Sequence, residues 1–316
     1  MSRVREQVLG WIASRHVVPG SEFAVLRASG IIPAPAQWRT FLEQLALWLG
    51  MLALAAAVIF FFAFNWDDLG RLAKIGMAEA AILVALLACW RLDLDGVAGT
   101  AALTLASLLV GALLALTGQI YQTGADTFEL FAYWAALILP WVLIGRFAPL
   151  WLVWVGLIDL AAFLYFSLGS DVEPQLWAMF VLNGLAVIGW EVGRYVGLAW
   201  LRDRWPVRLI ATVGAAAATA LIVWTILGGH GRAALVPTLA YLAWLAATYA
   251  WFHRRRPDLF MLAIGVLSVI VAVAALLSRH LLDSGGAAFL FIGLVVIGMS
   301  AAGALWLKSV AQEQAA

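Results

Sequence analysis

Asp159 is the residue of this chain with the clearest chemical potential, because it interrupts the apolar run Gly156-Leu157-Ile158-Asp159-Leu160-Ala161. It lies about ten residues into an apolar segment at 149–168, and a helical rise of about 1.5 Å per residue places it near the middle of a membrane. A carboxyl group at that depth is costly and faces either a cavity or a polar partner. The position predicts a site that binds a proton or a small cation.

A structural interpretation of Asp159 is also open. Asn183 lies about eight residues into the next apolar segment, 175–193, which runs in the opposite direction, so the two depths differ by only about 3 Å. No Lys or Arg lies at that depth in either segment. A neutral Asp159 that is hydrogen-bonded to Asn183 would join two helices without any role in transport.

A second group of polar and aromatic residues lies in two short segments, 64–71 and 118–129, each at the end of an apolar run. If each segment is the tip of a membrane hairpin, neighbouring hairpins pack together and bring both tips into one patch. We call these residues the outward-facing cluster, a candidate binding site. The alternative is that Asn65, Asp67, Asp126 or Thr127 cap the helices that follow. The members of the cluster are Asn65, Trp66, Asp67, Asp68, Gln119, Tyr121, Asp126 and Glu129.

Glu79 is a further polar candidate inside an apolar segment, roughly 10 Å below the outer surface. It either pairs with Arg71 and Lys74 near the surface or lines the same outward pocket as the cluster. The four histidines are far apart in the chain, which argues against a metal site. A single cysteine, Cys89, excludes an intrachain disulfide. The pattern implies no cofactor and contains no nucleophile–base pair.

The elements that position these residues are predicted to be membrane helices. Hydrophobic residues make up 65% of the 316 residues, charged residues 12%, and the mean hydropathy is +0.98, which is too apolar for a soluble domain. Since about 20 apolar residues span the hydrocarbon core, we expect an all-α bundle of about ten transmembrane helices. The predicted spans are 42–64, 72–91, 98–118, 130–146, 149–168, 175–193, 208–227, 234–252, 259–279 and 287–307.

The charged residues predict the orientation of the bundle. With the N-terminus in the cytoplasm, fifteen of the 19 Lys and Arg residues face the cytoplasm and four face outward, as the positive-inside rule expects. The prediction is therefore N-in/C-in. The net charge of +1 argues against a nucleic-acid-binding protein. The outward-facing four are Arg71, Lys74, Arg232 and Arg279.

The chain is predicted to have three parts: a cytoplasmic amphipathic segment at 1–40, the bundle at 41–310 and a short cytoplasmic tail at 311–316. In the first part, apolar residues recur at helical spacing up to Ile12, and Pro19-Gly20 ends that helix. We expect Ser21 to cap a second short helix. The segment either docks a cytosolic protein or lies on the bilayer surface.

Three stretches carry a resemblance to a known family. Phe64-Asn65-Trp66-Asp67 leaves a long apolar run, Leu116-Thr117-Gly118-Gln119-Ile120-Tyr121-Gln122 leaves another, and Leu9-Gly10-Trp11-Ile12 precedes both. In this order they resemble the first hairpin, the second hairpin and the preceding helical segment of the predicted bacterial membrane proteins grouped as DUF2157. The resemblance covers roughly residues 1–145. It implies a multi-pass protein of the bacterial inner membrane and supplies no reaction.

Three functions are compatible with the sequence. The first is a transporter or channel-like protein for a small solute or ion, with Asp159 and Asn183 in its path. The second is a non-catalytic membrane scaffold or envelope partner that binds a cytosolic or membrane protein through its N-terminal segment. The third is an enzyme that acts on a lipid-linked substrate through the outward-facing carboxylates, and it ranks last because no catalytic pattern is present. Membrane lipids are expected partners of all three, and nucleic acid is not.

Overall fold

The computed structural model describes residues 2–33, 35–64, 69–122, 124–228, 234–281 and 286–315. All regular elements within these residues are helical. Ten of the helices are long and apolar enough to span a membrane. The prediction of an all-α membrane bundle with about ten spans is therefore confirmed, while the N-in/C-in orientation stays a prediction.

Two short helices precede the ten long ones, and their bounds are as follows. The short helices are α1 (Ser2–Ala13) and α2 (Glu22–Ala28). The long helices are α3 (Pro35–Phe64), α4 (Arg71–Leu92), α5 (Val97–Tyr121), α6 (Thr127–Gly145), α7 (Ala148–Ser167), α8 (Glu173–Tyr195), α9 (Trp205–Gly228), α10 (Leu235–Tyr249), α11 (Leu259–Leu281) and α12 (Gly286–Ala315). A π-helical segment, Ala250–Arg255, continues α10.

The observed helices extend the predicted ones at several ends. The first membrane helix begins at Pro35, inside the segment that was predicted to face water, and α12 continues to Ala315, through most of the predicted tail. Helix α6 continues through Pro140. The predicted cap by Ser21 is wrong: Ser21 stands at the N-cap position of α2, but its hydroxyl group donates to the Val18 carbonyl oxygen at 2.7 Å.

The chain divides into two compact units, Met1–Ile120 and Tyr121–Ala316. In the first unit, the side chains of Phe62, Ala78 and Leu116 form a small core that joins α3, α4 and α5. In the second unit, α7 packs against α6 and α8, α8 packs against α9, and α11 packs against both α9 and α12. The second unit therefore holds the helices that carry Asp159 and Asn183.

Tryptophan side chains hold one end of the second unit together. Trp200, in the connection after α8, stacks on Trp151 of α7 with ring centroids 5.3 Å apart. It also meets Trp190 of α8 edge-on at 5.8 Å. Such aromatic pairs contribute about 0.5–1.5 kcal/mol beyond the area they bury. These contacts fix the packing of α7 against α8, the two helices that carry Asp159 and Asn183.

Candidate functional site

Asp159 of α7 and Asn183 of α8 are in direct contact inside the second unit. The Nδ2 of Asn183 donates to Asp159 Oδ1 at 3.0 Å and to Asp159 Oδ2 at 3.1 Å. The same nitrogen donates to the backbone carbonyl oxygen of Met179, one turn earlier on α8, at 3.0 Å. The two residues thus form one hydrogen-bonded pair between neighbouring helices, which we call the Asp159–Asn183 pair.

The pair is short of hydrogen-bond donors. Asn183 is 1% exposed, and its Oδ1 is buried without a partner among the described residues. Asp159 is half-buried, and the donor to its carboxyl group in the described part of the chain is the single Nδ2 of Asn183. An unpaired buried acceptor costs about 1–3 kcal/mol. The two carboxylate oxygens of Asp159 and the Met179 carbonyl oxygen therefore share one donor nitrogen, Asn183 Nδ2. A proton or cation bound at Asp159 would relieve this shortage of donors.

Positive charge is also scarce around the pair. Asp159 is the only charged residue in the sequence of α7, and α6 contains no Lys or Arg. On α8 the nearest charged residues, Glu173 and Glu191, are ten and eight residues from Asn183, which is at least about 12 Å along the helix. Arg208 is the one charged residue of α9 and lies in its first turn. The sequence of these helices thus offers Asp159 no counter-charge at its own depth.

Gly214 of α9 lies close to Asn183. A Cβ atom added at Gly214 would lie 3.0 Å from the Cβ of Asn183, which is at the lower limit of real contacts. Small residues of this kind allow membrane helices to approach closely. Asn183 is therefore fixed by a hydrogen bond on α7, a hydrogen bond on its own helix and backbone contact with α9.

Replacing Gly214 by valine is expected to displace Asn183 and to lower the stability of the protein by about 1–3 kcal/mol, because extra methyl groups overpack this contact. The measurement is the free energy of unfolding in a mixed-micelle titration. Gly189→Val is the matched control, since a Cβ atom there meets nothing within 4 Å. Equal stabilities for the two variants would show that α9 does not support Asn183.

The outward-facing cluster is only partly described by the structure. Asn65, Trp66, Asp67 and Asp68 lie outside the described residues. Of the four described members, Gln119 belongs to the first unit, and Tyr121, Asp126 and Glu129 belong to the second. Of those described, Gln119, Tyr121 and Asp126 are exposed and Glu129 is half-buried. The joint patch stays a prediction.

The alternative prediction, that the side chain of Asp126 caps α6, is wrong. Asp126 stands at the N-cap position of α6, yet its side chain makes no capping hydrogen bond. The contact at this helix end is between backbone groups: the Glu129 N–H donates to the Asp126 carbonyl oxygen at 3.0 Å. The carboxylate of Asp126 is thus not used to start α6.

The remaining carboxylates inside helices differ in their surroundings. Glu79 is exposed on α4 and forms no ion pair with another described residue. Glu191 is buried, pairs with Arg194 at 3.2 Å, and accepts a hydrogen bond from Trp251 Nε1 at 3.3 Å. Within the described residues, no group of three or more His, Cys, Asp or Glu side chains is arranged to hold a metal ion.

Sequence reasoning missed one buried charged group, Asp258 at the start of α11. Its side chain is 2% exposed and accepts hydrogen bonds from Arg204 at 3.0 Å and from Arg208 at 2.9 Å. Its Oδ1 also accepts from the Phe260 backbone N–H at 3.1 Å, so it caps α11. Pro257-Asp258 before an apolar run is a helix-start signal that points to the cap. Nothing local in the sequence points to arginines about fifty residues earlier.

Comparison with known proteins supports the membrane assignment. Residues 27–151 match the family model DUF2157, described as a predicted membrane protein. The resemblance is confirmed over these residues, while the N-terminal stretch that includes Trp11 lies before the match. No curated protein and no solved structure gives a significant match.

Proposed function

We propose that this multi-pass membrane protein is a transport protein of the bacterial inner membrane, and that the Asp159–Asn183 pair is its proton- or cation-coupling site. The observation that carries the proposal is the shortage of donors and positive charge around a carboxyl group inside a membrane helix. Intramembrane carboxylates of this kind mark ion and proton pathways. The chemistry of the site favours binding of a small cation, and a proton is the smallest.

The coupling step follows from the contacts of the pair. When Asp159 is ionised, the amide nitrogen of Asn183 serves both carboxylate oxygens. When a proton or cation binds, the charge is neutralised and that interaction weakens. Because the contact joins α7 to α8, loading of the site biases how these two helices pack, and a transporter needs such a bias between its two states.

A second candidate function rests on the N-terminal segment of the first unit. Leu9, Trp11, Val18 and Phe23 are large apolar side chains that are exposed there. Such side chains suit docking on a protein or on the bilayer surface. In that case the chain is a scaffold, and the Asp159–Asn183 pair only joins two helices.

Access of water to position 159 separates the two functions. We expect a single cysteine at position 159, in a Cys89→Ala background, to react with a membrane-impermeant maleimide in whole cells or in inverted vesicles. Leu160→Cys is the matched control: Leu160 is the next residue, at the same depth, and is 39% exposed, so lipid should shield it. Cysteines at the exposed positions Asp126 and Arg255 report access from each side and test the predicted N-in/C-in orientation.

Labelling at 159 but not at 160 is the expected result, because a coupling site has to exchange its cation with water. Failure to label 159 from either side, while both loop positions react, would contradict the transport proposal and support the scaffold.

A further inference from the structure

Arg204 and Arg208, near the start of α9, are both held by the buried carboxylate of Asp258. Arg204 Nη1 donates to Asp258 Oδ2 at 3.0 Å and to the Pro257 carbonyl oxygen at 2.6 Å. Arg208 donates to Asp258 through Nε at 3.3 Å and through Nη2 at 2.9 Å. The Arg208 guanidinium group also lies over the ring of Phe260, 5.3 Å from its centroid. We call these two guanidinium groups the arginine pair, and the protein fixes their positions before any ligand binds.

The arginine pair keeps hydrogen-bond donors that its protein contacts do not use. A guanidinium group carries five N–H donors on three nitrogen atoms. Arg204 Nε and Nη2, and Arg208 Nη1, have no hydrogen-bond partner among the described residues. Both side chains are partly exposed, and Asp258 balances only one of their two positive charges. The ligand that suits the remaining donors and charge is an anion with several acceptor oxygens.

The chain around the arginine pair adds further positive charge. Segments 202–208 and 254–258 meet where Arg204 contacts Asp258. Together the two segments contain six arginines and two aspartates, which gives a net charge of +4. Such a concentration of charge attracts anions, and the planar fork of arginine matches the geometry of a phosphate group. This end of the second unit therefore favours a ligand that carries a phosphate.

The exposed surface beside the arginine pair is apolar, which points to a phosphate that belongs to a lipid. Trp205 and Leu209 directly follow the two arginines in the sequence, and they and Phe260 are exposed. They lie in the first two turns of α9 and α11, two helices that are long and apolar enough to span a membrane. Tryptophan is enriched where such helices meet the headgroups. A phospholipid would use the charged and the apolar groups together, whereas a free phosphate would use the arginines alone.

We propose that the arginine pair is a binding site for an anionic phospholipid such as phosphatidylglycerol. The unused guanidinium donors bind the phosphate oxygens, and the acyl chains lie along the exposed apolar side chains of α9 and α11. Asp258 acts as a positioning residue, because it holds both arginines in place for the headgroup. The inference goes beyond the transport proposal and is independent of it, since no step involves Asp159.

Binding of phosphatidylglycerol to the purified full-length protein tests the inference, measured by native mass spectrometry as the lipid is titrated into detergent micelles. We expect saturable binding of one molecule per chain. Phosphatidylcholine with the same acyl chains should bind about tenfold more weakly, the effect of about 1.4 kcal/mol, because its choline group cancels the charge of the phosphate. Glycerol 3-phosphate has the phosphate without the chains, and at equal concentration it should not displace the bound lipid.

Paired substitutions locate the bound lipid. Arg204→Gln with Arg208→Gln removes the donors and should weaken binding about tenfold or more. Arg254→Gln with Arg255→Gln is the matched control, since it also removes two arginines, but from exposed side chains that form no ion pair with another described residue. It should change the affinity by less than about twofold. If loss of both partners of Asp258 unfolds the protein, Arg204→Lys with Arg208→Lys keeps the charge without the forks and should still weaken binding about threefold.

Four results would overturn the inference. Absence of saturable binding would mean that the arginine pair holds no phospholipid. Equal affinity for the two phospholipids would mean that the apolar side chains alone hold the lipid. Displacement by glycerol 3-phosphate at equal concentration would identify a site for soluble phosphates. Equal losses in the two glutamine variants would mean that lipid binds to a diffuse charged surface.

Discussion

Replacing Asp159 by asparagine is expected to abolish proton binding at the Asp159–Asn183 pair while leaving the protein folded. The amide of asparagine has the same size as the carboxyl group and still accepts a hydrogen bond from Asn183, which now donates at 3.0 Å. It binds no proton between pH 4 and pH 9 because an amide is not acidic or basic in that range. The change therefore removes the chemistry and keeps the contact.

The measurement is the infrared absorption of the protonated carboxyl group, recorded as a difference between low and high pH in reconstituted membranes. The wild-type protein should show a band that is absent in Asp159→Asn. Glu79→Gln is the control for a second carboxyl group within a membrane helix, and it should retain the Asp159 band. A band that survives in Asp159→Asn would assign the proton to another residue and contradict the proposed coupling site.

The sizes of the expected effects on stability and transport distinguish a coupling site from a simple hydrogen-bonded link between helices. Hydrogen bonds between membrane helices contribute only about 0.6–2 kcal/mol. If Asp159 serves only as a link, Asp159→Asn should be nearly silent in every assay. Asn183→Ala removes the donor and should cost about 1–3 kcal/mol, because the carboxyl group loses its partner. A complete loss of transport in Asp159→Asn at unchanged stability is therefore outside what a structural link explains.

The helices were predictable because the membrane imposes a length. A run of about 20 apolar residues has to be helical to satisfy its backbone inside the bilayer, and the sequence shows ten such runs separated by polar turns. The contact between Asp159 and Asn183 was predictable for the same reason, since consecutive helices are antiparallel and the two residues lie at similar depths. The depth of each residue in the membrane, which follows from its position along its helix, was therefore enough to predict this tertiary contact.

Other features depend on how helix faces meet, which a single sequence does not encode visibly. Alanines such as Ala132 of α6 and Ala162 of α7 look like ordinary packing residues in the sequence, and only the packing of α6 on α7 shows that they border an apolar groove. Capping predictions failed at Ser21 and Asp126 for a local reason. The Ser21 hydroxyl group bonds to a nearby carbonyl oxygen, and Asp126 leaves the start of α6 to a backbone hydrogen bond.

Asp258→Ala is expected to be the most destabilising of these substitutions, with a loss of about 4 kcal/mol in the free energy of unfolding. Removing one partner of a buried ion pair costs about 3–5 kcal/mol, and losing a helix cap adds about 1 kcal/mol. Because the side chains of Arg204 and Arg208 are 30% and 38% exposed, water would partly solvate them once Asp258 is gone. The expected loss therefore lies at the lower end of the combined range.

Unfolding of the purified protein in mixed micelles, followed by far-ultraviolet circular dichroism, measures this loss. Glu43→Ala is the matched control: the ion pair between Arg39 and Glu43 has a similar separation, 2.8 Å, but its side chains are 83% and 60% exposed. An exposed pair one helical turn apart contributes about 0.3–0.5 kcal/mol. Asp258→Asn keeps an acceptor for the Phe260 N–H and should fall between the two.

The order of these three variants tests whether Asp258 fixes the junction of α9, the π-helical segment and α11. Its carboxylate contacts both arginines near the start of α9 and the first turn of α11, and Arg204 also donates to the Pro257 carbonyl oxygen at 2.6 Å. If the junction is held in this way, Asp258→Ala should lower stability several times more than Glu43→Ala. Equal losses would mean that the apolar core at this end, which includes Phe252 and Leu262, holds the helices without the ion pairs.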